Sequence, residues 1–79
     1  MEKRYNKEYM ENCEIIHAER INNTDEVVMG RAETSLGTMY VTWLYCNGNY
    51  IWGHYFHNDP DAAWADFDER VKKEMGYYA

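Results

Sequence analysis

The histidines and cysteines of this sequence are the side chains best suited to bind a metal ion or to act as a nucleophile and its base. They are His17, His54, His57, Cys13 and Cys46. His54 and His57 are three positions apart, so on a regular strand they point to opposite faces and do not chelate one ion. The cysteines are 33 positions apart and form no Cys-x-x-Cys pair, which favours free thiols. We therefore predict no metal and no cofactor.

A catalytic role for these residues is a weaker hypothesis. A Cys-His pair needs the thiolate beside a base that a third group orients, and no neighbour of either cysteine completes such a trio. His17 joins a His/Cys cluster only if it meets His54 or Cys46 across a sheet. A small hydrolase or redox enzyme built around His17, His54 and a cysteine is thus our third hypothesis, and we predict that the protein is not an enzyme. The scattered glycines form no phosphate-binding loop.

Carboxylates are concentrated between residues 59 and 69. The five acids in these eleven residues are Asp59, Asp61, Asp66, Asp68 and Glu69. One interpretation is helix chemistry, because acids favour the first turn of a helix and pair with lysines four residues later. The other is a negative surface that competes for the basic groove of a nucleic-acid enzyme, as small phage-encoded inhibitors do. The net charge of −6 permits this second interpretation and disfavours direct binding to nucleic acid.

Length and composition predict one folded domain over residues 1–79. A chain of this size hides about 60% of the surface that its unfolded form exposes, which is enough for a single core. The apolar fraction of 46% and the aromatic fraction of 16% exclude a disordered protein. No stretch is typical of a signal peptide or approaches the ~20 apolar residues of a membrane span, so we expect a cytoplasmic protein.

Alternating and β-branched segments predict four strands as two hairpins. In the first hairpin, Cys13–Ile21 alternates, with Ile16 and Ala18 on one side and His17 and Glu19 on the other. The turn residues 22–25 separate it from the apolar segment Val27–Met29. A polar connection, Glu33–Gly37, leads to the second hairpin.

The second hairpin is the clearest structural prediction. Two segments rich in aromatic and β-branched residues, Met39–Cys46 and Tyr50–His57, flank the sequence Asn47-Gly48-Asn49. Asn-Gly is typical of a two-residue type I′ turn. With such a loop Trp43 faces Trp52 and Tyr45 faces Tyr50, whereas a three-residue loop shifts that register. Gly53 either leaves room for a neighbouring ring or marks a bulge.

A helix follows, and it completes the predicted fold. Asp59 is suited to the N-cap, Pro60 to the first helical position and Gly76 to the end. Ala63, Phe67 and Val71, with Trp64 and Met75 alongside, define its apolar stripe. The fold class is thus α+β: a four-stranded antiparallel sheet with a C-terminal helix packed on one face and, over Glu2–Asn12, a short N-terminal helix or an extended arm.

One helix covers one face of such a sheet, yet rings occur on both faces. Either Tyr5 and Tyr9 of the N-terminal segment cover the second face, or an open tyrosine-rich patch remains and marks a contact surface. We therefore favour a non-enzymatic module that binds a protein partner; a homodimer through a sheet edge is a further option. The alternative is the acidic inhibitor. The candidate partner-binding residues are Tyr40, Trp43, Tyr45, Tyr50, Trp52, Tyr55, Asp61, Asp66, Asp68 and Glu69.

One part of the sequence resembles a known group of proteins. Tyr40-Val41-Thr42-Trp43, followed by Asn47-Gly48 and Trp52-Gly53-His54-Tyr55-Phe56, is similar to short proteins of bacteria and their mobile elements that form a domain of unknown function. The resemblance spans roughly Ile15 to Val71, and the Trp-Gly-His-Tyr stretch is its most distinctive part. It implies a bacterial or mobile-element setting, and it implies no activity or catalytic residue. Tyr77 and Tyr78 fall outside it.

Overall fold

The chain forms an antiparallel sheet followed by one helix, as a computed structural model shows for residues 3–76. The strands and the helix are β1 (Glu14–Arg20), β2 (Glu26–Thr34), β3 (Gly37–Cys46), β4 (Asn49–His57) and α1 (Pro60–Glu74). The order of the four strands in the sheet follows their order in the chain. The predicted α+β fold is confirmed. Glu2, Tyr77 and Tyr78, which entered the predictions above, lie outside the described residues.

A third hairpin lies between the two that were predicted. The connection predicted over Glu33–Gly37 is shorter than expected, because Thr34 ends β2 and pairs with Gly37, the first residue of β3. The Thr34 hydroxyl closes this turn. Its Oγ1 donates to the carbonyl of Gly37 at 2.8 Å and accepts from the N–H of Leu36 at 3.1 Å. The sheet is therefore a continuous meander.

The turn between β3 and β4 has the predicted length. Asn47 and Gly48 adopt φ values of 52° and 80°, as a type I′ turn requires, and Tyr45 pairs with Tyr50. The predicted pairing of Trp43 with Trp52 is wrong. The register shifts between Thr42 and Leu44 because Trp52, at φ 55°, is the extra residue of a β-bulge.

The bulge decides which side chains of β4 face the helix. Beyond it, Thr42 pairs with His54 and Tyr40 with Phe56. Phe56 and Tyr40 consequently pack against the core under α1. Gly53 meets both predictions made for it, since it adjoins the bulge and a Cβ at this position would lie 2.8 Å from the indole nitrogen of Trp43. A glycine is therefore required where the two strands and the ring approach each other.

A second bulge lies in β1. Ile15 pairs with Gly30 and His17 with Met29, so the register shifts between Ile15 and His17. The predicted alternation, with Ile16 and His17 on opposite sides, is therefore wrong at this point. Ile16 packs in the core under α1, and the His17 ring lies 5.1 Å from the Phe67 ring of that helix.

Helix α1 covers one face of the sheet through the predicted stripe. Asp59 is the N-cap and accepts from the N–H of Ala62 at 3.1 Å, which satisfies one of the free N–H groups at a helix start. Ala63, Phe67 and Val71 are buried against Val27 and Met29 of β2 and, with them, form one core cluster. Trp64 and Met75, expected beside the stripe, remain 37% and 42% exposed.

The N-terminal segment, residues 3–13, covers the other face as a folded loop that we call the arm. It has turns at residues 7–9 and 11–12, so it is neither the predicted short helix nor an extended segment. It begins to pair with β1 through the bridge between Tyr5 and Glu14. Tyr9 lies edge-on to Trp43, with ring centroids 5.5 Å apart. The second core cluster lies beneath this arm and consists of Cys13, Val28, Ala32, Val41 and Trp43. The predicted covering therefore occurs through Tyr9, but it is partial, because Tyr5 is 38% and Tyr55 is 55% exposed.

Arg4 fastens the start of the arm to the sheet. Its guanidinium lies over the ring of Tyr45, 4.6 Å from the centroid, donates to the Tyr50 hydroxyl at 3.2 Å and pairs with Glu26 at 3.1 Å. Its carbonyl accepts from the N–H of Ile15 at 2.7 Å. Both faces of the sheet are therefore occupied by parts of the same chain. Within residues 3–76, no helix has the length and apolar character needed to cross a membrane.

Candidate functional site

Two of the predicted contact rings are on the surface, and both belong to the edge strand β4. Trp52 is 66% and Tyr55 is 55% exposed. Tyr55 stands on the side of the arm, where its ring centroid is 5.6 Å from that of Tyr9. Trp52 borders the helix side, where it lines a cleft with residues of α1. Exposed rings therefore flank the outer edge of β4, with which no further strand of residues 3–76 pairs.

The other predicted rings contribute to packing. Trp43 is only 4% exposed, so the expectation that it lies on an open ring surface is wrong. The arm covers it. Tyr45 and Tyr50 are half-buried and pack against each other, with ring centroids 4.7 Å apart. Tyr40 is half-buried in the core under α1. The open patch is thus narrower than the aromatic composition suggested.

Trp52 is held in a conformation that its side chain disfavours. Its φ of 55° lies in the left-handed region, which costs a residue with a Cβ about 1–2 kcal/mol. Arg70 on α1 contacts this residue, because its Nη2 donates to the carbonyl oxygen of Trp52. A bulky residue with positive φ persists only where its surroundings enforce it, and such residues are concentrated at functional sites.

Arg70 belongs to a chain of polar contacts that we call the helix–sheet network, formed by Thr42, His54, Asp66 and Arg70. Nη1 of Arg70 donates to the carbonyl and to Oγ1 of Thr42, at 2.9 and 3.1 Å. Thr42, fully buried, donates from Oγ1 to Asp66 at 2.6 Å. The Nδ1 atom of His54 lies 3.0 Å from the same carboxylate oxygen. Because an ionised carboxylate only accepts, Nδ1 carries the proton in this contact.

Three members of the network, His54, Asp66 and Arg70, line a cleft of about 440 Å³ between β4 and α1. A volume of this size is within the range of small-molecule sites, about 300–1,000 Å³. The cleft is bounded by residues of both signs and by one indole ring: Trp52, His54, Asp66, Glu69, Arg70, Lys73 and Glu74.

The electrostatics of the cleft explain how a partly buried guanidinium is tolerated. Burial lowers the pKa of Arg70, whereas the carboxylates of Asp66 and Glu74 act in the opposite direction. The terminal nitrogens of Arg70 are bonded to Thr42 and to Trp52. The guanidinium of Arg70 thus contacts β3 at Thr42 and β4 at Trp52 at the same time.

The acidic candidates divide into two groups. Asp66 is bonded to Thr42 and His54, so its carboxylate is engaged within the protein. Asp61, in the first turn of α1, is exposed, as are Asp68 and Glu69. The helix-chemistry interpretation thus accounts for Asp61, and a tertiary contact accounts for Asp66.

The residues of the catalytic hypothesis are not brought together. His17 is on the edge strand β1, which β2 and β3 separate from β4, where His54 lies. His17 contacts Trp64 and Phe67. The meeting of His17 with His54 across the sheet, on which a His/Cys cluster depended, therefore does not occur. His54 contacts Asp66, and His57 lies 2.9 Å from the carbonyl oxygen of Leu36.

Both cysteines are free thiols with little tendency to ionise. Burial raises the pKa of Cys13 to about 11. A hydrogen bond with Asp25 raises the pKa of Cys46. Because the thiolate is the reactive form, neither residue is activated as a nucleophile. Among residues 3–76, no group of three or more histidine, cysteine or carboxylate side chains is arranged to hold a metal ion.

Sequence reasoning missed Thr42, His54 and Arg70 as partners in one site. Asp66 and Arg70 are four residues apart and so share a side of α1, which is a usable sequence signal. Their partner His54 was not predictable, since the bulge at Trp52 decides which face it occupies.

Comparisons with known proteins add nothing to this geometry. The resemblance to short bacterial proteins stays a prediction, because no family model, no curated protein and no solved structure matches this chain.

Proposed function

We propose that this protein is a non-enzymatic interaction module that binds a protein partner along the outer edge of β4, with Trp52 as the central contact. The observation that supports the proposal is the state of Trp52, which is 66% exposed and held at a φ of 55°. Tryptophan is among the residues that contribute most to binding at protein interfaces. The disfavoured φ of Trp52 lowers the stability of the fold while its indole ring stays exposed to water. A partner that covers the ring on binding explains why the protein keeps this conformation.

The surroundings of Trp52 suit a contact of this kind. Tyr55 presents a second ring on the opposite side of the same strand. Charged side chains of α1, such as Lys73 and Glu74, border the cleft beside the indole. Interfaces commonly combine an aromatic centre with a polar rim. The bulge interrupts the regular ladder of β4, and edge bulges discourage simple strand addition, so we place the contact on side chains.

The test is capture of the partner by immobilised protein from the source cell. Trp52→Ala removes the ring, and we expect it to weaken capture at least about tenfold, since anchor residues contribute about 2 kcal/mol or more. Leu36→Ala is the matched control, because Leu36 is 79% exposed in the turn between β2 and β3. Circular dichroism should show both variants folded. Equal capture by the Trp52 variant and the wild type would remove the basis of the proposal.

The runner-up is an acidic inhibitor of a nucleic-acid enzyme. It is supported by the net charge of −6 and by the exposed Asp61, Asp68 and Glu69. Contacts between exposed charges are screened over about 10 Å at 0.1 M salt, so this mode predicts capture that falls steeply as salt rises. It also predicts that Asp68→Asn weakens capture and that Trp52→Ala does not. Capture that persists at high salt favours the ring contact.

A homodimer through the edge of β4 is the remaining form of the proposal. Sedimentation equilibrium of the wild type and of Trp52→Ala separates this case from a foreign partner. A dimer that the substitution dissociates identifies the partner as a second copy of the chain.

A further inference from the structure

We propose that Arg70 is the positioning residue for Trp52: its guanidinium fixes the bulge of β4 in the form that presents the indole to a partner. This inference deepens the proposed function and rests on it. Arg70 is the residue of α1 that donates to the Trp52 carbonyl and, through its other terminal nitrogen, to Thr42 on the neighbouring strand. One side chain therefore spans the two strands at the point where their register shifts.

The geometry assigns this role to the guanidinium fork rather than to its charge alone. Nη1 reaches both oxygens of Thr42, at 2.9 and 3.1 Å, while Nη2 reaches Trp52. A lysine ammonium is a single point of donation and does not reproduce a planar fork with separate donors. Arg70→Lys thus keeps the positive charge beside Asp66 and removes the simultaneous contact with both strands.

The rest of the helix–sheet network holds the fork in place. Asp66 accepts from Thr42 at 2.6 Å and contacts His54 at 3.0 Å, so the carboxylate that balances the charge of Arg70 is itself fixed. A polar network in which each member has a partner is rigid. Among the residues that the structure describes, no buried side-chain nitrogen or oxygen lacks a hydrogen bond. The conformation of Trp52 is therefore set by α1, which lies outside its own hairpin.

The opposing explanation is that Arg70 merely ties the helix to the sheet. The two explanations differ in what happens to Trp52. If Arg70 only joins the helix to the sheet, its loss lowers the free energy of unfolding but leaves the environment of Trp52 in the folded protein unchanged. If Arg70 positions Trp52, its loss alters the environment of that indole in protein that is still folded. The experiment must therefore observe Trp52 itself.

Fluorine NMR of protein labelled with 5-fluorotryptophan gives a separate signal for each of the three tryptophans, assigned by single replacements with phenylalanine. We expect Arg70→Lys and Arg70→Met to shift and broaden the Trp52 signal, with smaller changes at Trp43 and Trp64. Lys73→Met, which removes a charge from the same cleft, should leave the Trp52 signal in place. If Arg70→Met does not fold, Arg70→Lys decides the question.

Val71→Ala is the control for lost stability. Val71 neighbours Arg70 in α1 and is buried in the core under the helix, so its truncation weakens the fold without touching Trp52. We expect the Trp52 signal of this variant to match that of the wild type. A Trp52 signal that Arg70→Lys leaves unchanged, or that Val71→Ala shifts equally, would overturn the inference.

Capture of the partner separates failure of this inference from failure of the proposed function. If Arg70→Lys moves the Trp52 signal and lowers capture, both stand. If Arg70→Lys moves the Trp52 signal but Trp52→Ala still captures the partner normally, Arg70 positions the indole but the indole does not bind the partner. The proposed function then fails. If Trp52→Ala loses capture while Arg70→Lys changes neither signal nor capture, the proposed function stands and the role of Arg70 fails.

Discussion

Gly53 and Trp52 are neighbours in β4 with opposite steric requirements. A Cβ on Gly53 would lie 2.8 Å both from the indole nitrogen of Trp43 and from the hydroxyl of Tyr55. Trp43 is buried beneath the arm and has little room to move. Overpacking of a filled core costs about 1–3 kcal/mol. We therefore expect Gly53→Ala to lower the free energy of unfolding by that amount, as urea titration will measure. Gly48→Ala tests a different effect: a Cβ there has no neighbour within 4 Å, so any loss of stability comes from the positive φ of 80°.

Trp52 allows the cost of its backbone conformation to be measured directly. Trp52→Ala and Trp52→Gly remove the same ring, but only alanine keeps a Cβ at a φ of 55°. Since the left-handed region is disfavoured for residues with a Cβ and open to glycine, we expect Trp52→Gly to be more stable than Trp52→Ala by about 1 kcal/mol in urea titrations. A glycine variant that is the less stable of the two would show that this position carries no strain.

The strands and the helix were predictable because each is specified by nearby residues. Asn47-Gly48 dictated a type I′ turn, and Asp59-Pro60 dictated the helix start. Gly53 indicated a bulge in β4 as one alternative, but the bulge in β1 and the effect of either bulge on the register were not predictable, because they depend on contacts made in the folded protein. The Trp52 bulge adjoins the close approach of Gly53 to Trp43 and is held by Arg70.

The candidate site was predictable only in part, for the same reason. Composition pointed to Trp52 and Tyr55, which are exposed, and equally to Trp43, which is buried. What distinguishes them is the arm, whose position over the sheet is set by contacts such as Arg4 with Tyr45. The contact of Arg70 with Trp52 and Thr42 was not predictable from the sequence either, since Thr42 is 28 residues from Arg70 in the chain.

The arm is an element whose contribution can be tested alone. Tyr9 packs edge-on against Trp43 and also meets Tyr55. Tyr9→Ala removes both ring contacts, each worth about 0.5–1.5 kcal/mol beyond the area that is buried. We expect the free energy of unfolding to fall by about 2 kcal/mol and the Trp43 fluorescence to shift to longer wavelength as water reaches the indole. Tyr5→Ala, in the same arm at a residue that is 38% exposed, should show a smaller effect on both.

The two core clusters lie on opposite faces of one sheet, so alkaline conditions should act mainly on the face beneath the arm. Cys13 is fully buried there, and its pKa is about 11 against an ordinary value of 9.0. A thiol whose pKa is higher in the folded state contributes stability that is fully present below pH 9 and is lost as the pH rises toward 11. The loss is on the order of 2 kcal/mol.

Urea titrations at pH 8 and 11 should therefore show a larger drop in unfolding free energy for the wild type than for Cys13→Ala, in which the thiol is absent. The substitution itself lowers stability at both pH values, because it leaves a small cavity, so the quantity that matters is the difference between the two drops. Burial also raises the pKa of Tyr9. The loss of unfolding free energy that this burial of Tyr9 causes at high pH should remain in Cys13→Ala. Equal drops in both proteins would mean that Cys13 ionises as readily in the folded state as in the unfolded chain, contrary to its position beneath the arm.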